Sequence, residues 1–251
     1  MLPQTPLNPV IGQPFIVLSR TDSSNNYAMA QAHAGLAKHG TTWFAIEQTH
    51  GKGQRGKTWI TTPGENIIQS VLIDPSLLSI TKTFHLSVVI SLACYDLFKK
   101  YAGPTTSIKW PNDLYWNDRK AGGILIENNF RGDIWCWAVA GIGININQPP
   151  ISSLPDAISL HQVTGKSADV LALGKELCIF INERIHMYQE SISSTMNNYN
   201  EVLYKRGEKV RLRKDNIVFE TTITGVTDNG QLLTTDSVER YFAFGEVQWV
   251  K

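Results

Sequence analysis

The sequence predicts an α+β fold in which helices pack on a sheet and a small, separate β unit follows near the C-terminus. Three observations lead to this prediction. Short alternating apolar runs indicate strands, two long stretches have the apolar spacing of helices, and the last part of the chain contains short strands alone. A length of 251 residues leaves room for one domain of ordinary size and a small companion.

The expected elements of the first half alternate between strands and helices. Each is bounded by glycine, proline or cap-forming residues, which begin or end regular structure. In chain order they are a strand over 15–18, a helix that starts at the cap-forming residues 21–25 and runs towards Gly40, a strand over 43–47, a glycine-rich loop over 48–58, a strand over 66–73 and a helix over 83–101.

The second half begins with further strands of the core sheet. Residues 107–110 are short and apolar, and the turn-forming residues 128–133 join two apolar runs into an antiparallel hairpin. The core sheet is therefore expected to be mixed or antiparallel. Residues 149–155 contain three prolines and predict a loop, and residues 168–204 have a mostly helical pattern.

A domain boundary is expected near Arg206. From Gly207 onward only short strands are indicated, and Asp-Asn-Gly at 228–230 is typical of a hairpin turn. The two predicted domains are residues 1–205 and residues 206–251. The second is about the size of a small SH3-like barrel.

The bulk composition excludes several classes of protein. A formal net charge of +1 leaves no broad basic field for gripping nucleic acid, so no nucleic-acid partner is expected. The cysteines are odd in number and contain no Cys-x-x-Cys pair, which argues against a disulfide framework or a structural zinc site. No apolar run approaches the roughly 20 residues of a membrane span, and residues 1–12 lack a secretory signal pattern. We therefore expect a cytoplasmic protein without membrane contact.

Residues 51–58 satisfy the letters of the phosphate-loop pattern G-x-x-x-x-G-K-[ST]. That pattern binds phosphate where a helix starts at its last glycine, because the helix N-terminus supplies aligned amides. The residues after Thr58 are β-branched and then turn-forming, which disfavours a helix and with it a P-loop NTPase. What remains is a glycine-rich loop with Lys52, Arg55 and Lys57. Such a loop can fold over an anion or lie in water as a solvated hairpin.

Five segments follow one another in a recognisable order. They are Asp-Ser-Ser-Asn at 22–25, the glycine-rich loop at 47–59, Lys-Trp-Pro-Asn-Asp at 109–113, Arg-Lys-x-x-Gly-Ile-Leu-x-Glu at 119–127 and Gly-Ile-Gly-Ile-Asn at 141–145. Together these segments resemble the biotin protein ligases, and the resemblance covers the chain apart from its ends. It implies a mixed sheet backed by helices, with biotin buried against the sheet and ATP beside it under the loop.

The resemblance also implies an activity. Such an enzyme uses ATP and Mg²⁺ to convert biotin into biotinyl-adenylate, and it passes the biotinyl group to a lysine of a biotin carboxyl carrier protein or domain. Because the first core strand begins near Phe15, we expect the form without the DNA-binding domain of the family's repressor members. The resemblance is compatible with a homodimer as well as a monomer. Lipoate protein ligases resemble this family in fold and adenylate chemistry, but their arginine pair followed by three glycines before a His-Asp is absent from this sequence.

Each matched residue has a chemical reason to lie in the site. The ureido ring of biotin needs placed hydroxyl and amide partners, the base needs an aromatic face, and the growing charge on carboxylate and α-phosphate needs a cation. The expected biotin-binding residues are Ser23, Ser24, Asn25, Gln48, Gly51, Gly53, Gln54, Arg55, Lys120, Gly123 and Gly141. The expected nucleotide-binding residues are Lys52, Trp59, Lys109, Asn112, Gly143 and Asn145. Lys120 and Arg55 are expected to be catalytic. The sequence assigns no magnesium ligand, Asp113 included.

Structural alternatives accompany these assignments. Ser23 or Asn25 could simply cap a helix, Gly141 and Gly143 could mark a β-bulge, and Trp59 could be a core side chain. Each alternative predicts different contacts.

Three loop positions depart from the family's usual pattern G-R-G-R-x-G-R. Lys52, Gln54 and Lys57 stand where arginines are commoner. Lysine keeps the charge without the planar fork of arginine, whereas Gln54 loses the charge altogether. We expect the adjacent Arg55 to supply it.

Overall fold

The computed structural model describes residues 10–250, so most of the segment inspected for a targeting signal, together with residue 251, lies outside the described residues. Within them, seven strands form one sheet in the order β1-β2-β3-β7-β6-β5-β4. These strands are β1 (Phe15–Leu18), β2 (Thr42–Ala45), β3 (Asn66–Ile73), β4 (Thr106–Lys109), β5 (Asp113–Trp116), β6 (Arg119–Arg131) and β7 (Ile134–Asn145). β1 and β2 are parallel and the other neighbours antiparallel, so the predicted mixed sheet is confirmed.

Helices cover both faces of this sheet. They are α1 (Ser24–His33), α2 (Thr83–Ala102), α3 (Leu160–Thr164), α4 (Val170–Glu190) and α5 (Ile192–Glu201). On one face α1 packs through Ala28 against Trp43, Leu72 and Val139, while α2 and α4 pack on the other face over the main core. Every residue of β3 is buried, because both faces of the strand are covered. Among residues 10–250, no helix is long and apolar enough to cross a membrane.

Some boundaries differ from those expected. Helix α1 ends at His33 rather than near Gly40, because Gly35 takes a left-handed φ of 68° just after the helix. The helical stretch 168–204 is divided at Ser191, whose side chain caps α5 by accepting from the Ser194 N–H. The apolar pattern gave no indication of β5, a four-residue strand that connects β4 to β6 in the sheet.

The small C-terminal β unit is confirmed as a five-stranded antiparallel sheet in the order β11-β10-β9-β8-β12. Its strands are β8 (Lys209–Lys214), β9 (Ile217–Val226), β10 (Leu232–Thr235), β11 (Glu239–Phe242) and β12 (Gln248–Val250). The turn at 228–230 joins β9 to β10, as expected. The division of the chain at residues 205 and 206 stays a prediction.

Specific polar contacts attach the C-terminal sheet to the larger one. Asn200 of α5 accepts from the Val226 N–H at 2.7 Å and donates to the Val226 carbonyl oxygen at 3.2 Å. The Trp110 indole N–H donates to the Gly230 carbonyl oxygen at 2.9 Å. Asp228 in the β9–β10 turn contacts Lys82 and lies 2.8 Å from His85 Nε2. The β9–β10 hairpin is therefore bound to both α2 and α5.

Asn200→Ala is expected to lower the free energy of unfolding by about 1–3 kcal/mol, because it leaves the Val226 N–H and carbonyl without their partner in a partly buried place. Asn197→Ala is the matched control, since Asn197 is an exposed asparagine on the same helix. Urea unfolding of both variants measures the difference. Equal stability of the two variants would show that the Asn200 contact does not hold the two sheets together.

Candidate active site

A cavity of about 890 Å³ opens between the central sheet and the C-terminal sheet. Its size is that of a small-molecule site. It is lined by all of the predicted site residues except Gly51, namely Ser23, Ser24, Asn25, Gln48, Lys52, Gly53, Gln54, Arg55, Trp59, Lys109, Asn112, Lys120, Gly123, Gly141, Gly143 and Asn145. Gly51 is buried beside the cavity, where an added Cβ would lie 2.4 Å from the Trp59 carbonyl oxygen.

The N-terminus of α1 forms a polar corner of the cavity. Ser23 occupies the N-cap position without a side-chain capping bond, and Gln48 Oε1 instead accepts from the Ser24 N–H at 2.7 Å. The buried Ser70 of β3 has its hydroxyl oxygen 2.8 Å from that of Ser24. Gln48 thus caps the helix, and Ser23 faces the cavity. Sequence reasoning missed Ser70, although a polar residue in a buried apolar strand is a usable signal.

Asn25 is hydrogen-bonded to two strands, β3 and β6, and lies directly against a third, β7. Its Nδ2 donates to the Leu125 carbonyl oxygen at 3.2 Å and to the Glu127 carboxylate at 2.8 Å, and its Oδ1 accepts from the Ser70 hydroxyl at 2.6 Å. A Cβ on Gly141 would lie 2.2 Å from Asn25 Oδ1. A glycine at 141 is therefore required for the Asn25 amide to reach the sheet, and simple helix capping does not describe the role of Asn25.

Trp59 covers Gly143, the next glycine of β7 after Gly141. A Cβ on Gly143 would lie 2.6 Å from the Trp59 ring. The pairing of β3 with β7 continues through Gly141 and Gly143 without a shift, so the alternative of a β-bulge is wrong. The Trp59 ring is partly exposed, and its buried Nε1 has no hydrogen-bond partner among the described residues. The ring is a wall of the cavity rather than a core side chain.

Lys120 and Asp113 form an ion pair in the cavity wall. Lys120 Nζ donates to Asp113 Oδ1 at 2.6 Å, with about a third of the Lys120 side chain exposed. The Lys120 backbone is held on both sides, since its N–H donates to the Asp156 carbonyl at 2.8 Å and its carbonyl accepts from the Ile158 N–H at 2.9 Å. The ammonium is therefore preorganised, with its charge facing the cavity.

Side-chain amides brace the strands around this pair. Asn112 Nδ2 donates to the Ile124 carbonyl oxygen at 2.6 Å, and Gln54 Nε2 reaches the same oxygen at 3.5 Å. Asn145 Nδ2 donates to the Ile158 carbonyl oxygen at 3.2 Å. Asn112 and Asn145 thus hold cavity walls in place, in addition to any contact that they make with a ligand.

The glycine-rich loop folds over the cavity as a short hairpin. The Gly53 N–H donates to the Lys57 carbonyl at 2.7 Å, and Lys52 Nζ lies 4.0 Å from the Glu127 carboxylate. No helix begins between residues 57 and 75, so the structural requirement of a P-loop is not met. The loop presents its cations to the cavity instead of a helix N-terminus.

Arg55 connects this loop to the C-terminal sheet. Its φ of 55° is left-handed, and its guanidinium lies 5.7 Å from the Phe244 ring centroid with Nη1 3.5 Å from the Gly245 carbonyl oxygen. A Cβ on Gly245 would lie 2.5 Å from Nη1. The turn between β11 and β12 is therefore a cradle for Arg55, and it holds the loop in a closed position.

Sequence reasoning missed the part of the cavity that the C-terminal sheet supplies. The additional lining residues from that sheet are Phe244, Gly245, Val247, Gln248 and Trp249. No local pattern marks them, because they reach the cavity only when the two sheets pack together.

The described residues provide no preformed metal cage. Among residues 10–250, no group of three or more His, Cys, Asp or Glu side chains is arranged to hold a metal ion. The carboxylates of the cavity are Asp113 and Asp156, and the first is engaged by Lys120. Mg²⁺ keeps several waters and binds largely through substrate phosphates. This donor set fits an ion that enters with a polyphosphate.

Comparison with known proteins places these segments in a family. The model of the "Biotin/lipoate A/B protein ligase family" matches residues 17–145, which contain all of the predicted site residues. The chain belongs to this family. The biotin/lipoate ligase region therefore corresponds to β1 through β7, the part of the fold that carries the cavity floor.

Individual relatives of this ligase family extend the likeness beyond the matched region. The chain is 28% identical over 242 residues to the bifunctional ligase/repressor BirA of Bacillus subtilis, covering 93% of this chain and 74% of that protein. It is 35% identical over 161 residues to the biotin–[acetyl-CoA-carboxylase] ligase of Paracoccus denitrificans, covering 61% of this chain and 65% of that protein.

A solved biotin protein ligase has the same fold along almost its whole length. The Aquifex aeolicus enzyme in complex with biotin and ATP superposes with a TM-score of 0.79 and 25% identity, covering 93% of this chain and 97% of that one. The C-terminal sheet is thus included in the likeness as well as the family region.

Phe244→Ala is expected to speed amide hydrogen exchange at loop residues 53–57 by about two- to fivefold, because a partly exposed cation–π contact contributes about 0.5–1 kcal/mol. Phe130→Ala is the control, since Phe130 is exposed at the tip of the β6–β7 hairpin and does not line the cavity. Hydrogen exchange read by mass spectrometry makes the comparison. Unchanged exchange in the Phe244 variant would mean that the turn does not hold the loop closed.

Proposed function

We propose that this chain is a biotin protein ligase. It joins the carboxylate of biotin to the α-phosphate of ATP, releasing pyrophosphate, and then passes the biotinyl group to one lysine of a biotin carboxyl carrier domain. The observation that carries this proposal is the single cavity in which a buried corner of hydroxyls and amides meets the Lys120 ammonium under a cationic loop. The likeness to a ligase solved with biotin and ATP supports the same assignment.

The polar corner at α1 suits the ureido ring of biotin. That ring is neutral and offers a carbonyl acceptor flanked by two N–H donors, so it needs hydroxyl and amide partners in a desolvated place. Ser23, Ser24 and Asn25 are buried there, and Gln48 adjoins them. We assign the ring to this corner, with Gly53 and Gly123 leaving room along the path towards Lys120.

Lys120 serves the adenylation step. A carboxylate oxygen of biotin attacks the α-phosphorus of ATP, the bond from that phosphorus to the bridging oxygen breaks, and pyrophosphate leaves with the electron pair. Negative charge grows on the α-phosphate oxygens meanwhile, and a preorganised ammonium stabilises it. Asp113, 2.6 Å from Lys120 Nζ, keeps the ammonium in position.

The nucleotide is assigned to the cationic side of the cavity. Trp59 offers an aromatic face for the base, Gly143 and Asn145 adjoin it, and Asn112 braces the wall. Lys52 and Lys109 are assigned to the phosphates. Mg²⁺ would be held mainly by the ATP phosphates and would neutralise part of their charge.

Arg55 is assigned a second duty beside its contact with the C-terminal turn. Its guanidinium is a planar donor and lies in the cavity lining, so it is placed to bind the anionic phosphate of the adenylate under the closed loop. The Gln54 amide reaches the Ile124 carbonyl oxygen and brings no charge.

The second half-reaction forms an amide. The neutral ε-amine of the acceptor lysine attacks the biotinyl carbonyl carbon, the bond to the phosphate oxygen breaks, AMP leaves and the amine loses a proton. The Paracoccus relative is named for acetyl-CoA carboxylase, which supports a carrier domain of a biotin-dependent carboxylase as partner.

Because the proposed reaction consumes ATP, we also propose a cytoplasmic location. No nucleic-acid partner is needed for it.

The chain is expected to release pyrophosphate from ATP in the presence of biotin but not of lipoate, because lipoate lacks a ureido ring to occupy the polar corner. A coupled pyrophosphate assay with each acid at equal concentration measures this preference. Equal turnover with lipoate would assign the chain to the lipoate branch of the family.

Lys120→Gln is expected to slow single-turnover adenylate formation by about 100- to 1,000-fold, because a preorganised cation typically contributes roughly 3–4 kcal/mol to such a transition state. Lys166→Gln, at an exposed lysine outside the cavity, is the control. The free energy of unfolding of both variants should stay within about 1 kcal/mol of the parent, because Lys166 is exposed and the partly exposed Lys120–Asp113 ion pair is screened by solvent. A Lys120 variant that melts normally and activates biotin within threefold of the parent would remove Lys120 from the mechanism.

A further inference from the structure

Three aromatic rings surround the ammonium of Lys109. Lys109 Nζ lies 4.6 Å from the ring centroid of Trp249, 4.8 Å from that of Tyr115 and 5.5 Å from that of Tyr204. It also donates to the Tyr115 hydroxyl at 3.3 Å. We name Tyr115, Tyr204 and Trp249 the Lys109 cage. All three distances are within the range in which an ammonium is attracted to a ring face.

The cage opens towards the cavity. Lys109, Tyr115 and Trp249 line the cavity, whereas Tyr204 does not and closes the cage from behind. Tyr204 packs against both of the other rings, 4.9 Å from Tyr115 and 5.7 Å from Trp249 between centroids. The Lys109 side chain therefore lies in the cavity wall and is held there by the cage.

The rings remain neutral beside the cation. Burial raises the pKa of the Tyr115 hydroxyl above its ordinary value, and the nearby Asp113 raises it further. Burial likewise raises the pKa of Tyr204, with an added contribution from its hydrogen bond to Asp118. The Tyr115 and Tyr204 hydroxyls thus remain protonated, and both rings present a neutral face to the ammonium.

The cage is assembled from distant parts of the chain. Tyr115 belongs to β5, Tyr204 follows α5, and Trp249 belongs to β12 at the end of the C-terminal sheet. Trp249 completes the cage only when the C-terminal sheet is packed against the larger one. A long lysine side chain loses rotamer freedom when it binds a ligand. A cage that has already restricted the side chain reduces that loss.

We propose that Trp249 is a positioning residue for the nucleotide, which acts by holding the Lys109 ammonium towards the ATP phosphates. The proposal rests on the proposed function and adds a role for the C-terminal sheet in ATP binding. A purely structural alternative is that the three rings only pack the two sheets together. The two accounts differ in whether the effect of Trp249 depends on Lys109.

The test measures binding of α,β-methylene ATP and, separately, of biotin to the full chain. Trp249→Leu is expected to weaken binding of the nucleotide analogue by about three- to tenfold and to leave biotin affinity within twofold. Trp249→Phe keeps a ring face and should recover most of the loss. Trp135→Leu, on the β6–β7 hairpin outside the cavity lining, is the matched control and should change neither affinity.

A double-mutant cycle separates positioning from packing. Lys109→Met alone weakens analogue binding, and adding Trp249→Leu to it should cause no further loss if Trp249 acts through Lys109. Additive losses, or nucleotide affinity within twofold of the parent in Trp249→Leu, would overturn the proposal. Unchanged biotin affinity shows that each variant is folded. If the parent chain binds biotin and Trp249→Leu leaves nucleotide affinity unchanged, only this inference is overturned. If the parent chain binds neither ligand, the proposed function is overturned as well.

Discussion

Three glycines without side chains on the central strands β6 and β7 determine where this molecule can bind a ligand. Gly123 and Gly143 are directly paired across these strands, and Gly141 follows on the same face. A Cβ at 141 would overlap the Asn25 amide and one at 143 would overlap the Trp59 ring. Helix α1 and the glycine-rich loop can therefore lie directly on the sheet. The hydroxyls, amides and cations that they carry converge over one bare patch of backbone.

The charges of the site are held by neighbours before any ligand arrives. Lys120 is paired with Asp113, and Lys109 lies among three rings. Arg55 rests on the turn between β11 and β12. In a partly desolvated cavity, a cation that is already oriented stabilises growing negative charge without the cost of reorganisation. Two of these three cations are held by aromatic residues of the C-terminal sheet, so that sheet is part of the site rather than an appendage.

The sequence predicted much of this arrangement, for identifiable reasons. Glycines, cap-forming residues and alternating apolar runs act locally, and they located the core strands, the long helices and the hairpin turn at 228–230. The short strand β5 has too few residues for a periodic signal. Ser70, Phe244 and Trp249 were missed because their roles come from tertiary contacts with residues far away in the chain.

The central claim is that the chain activates biotin with ATP in one cavity and then transfers the biotinyl group to a lysine of another protein. Incubation of the chain with biotin, ATP and an isolated biotin carboxyl carrier domain, followed by intact-mass and peptide mass spectrometry of the carrier, tests it most directly. The account predicts a mass gain of one biotinyl group on one lysine that disappears when ATP is omitted. An unmodified carrier, with a parent chain that is folded and binds both small molecules, would contradict it.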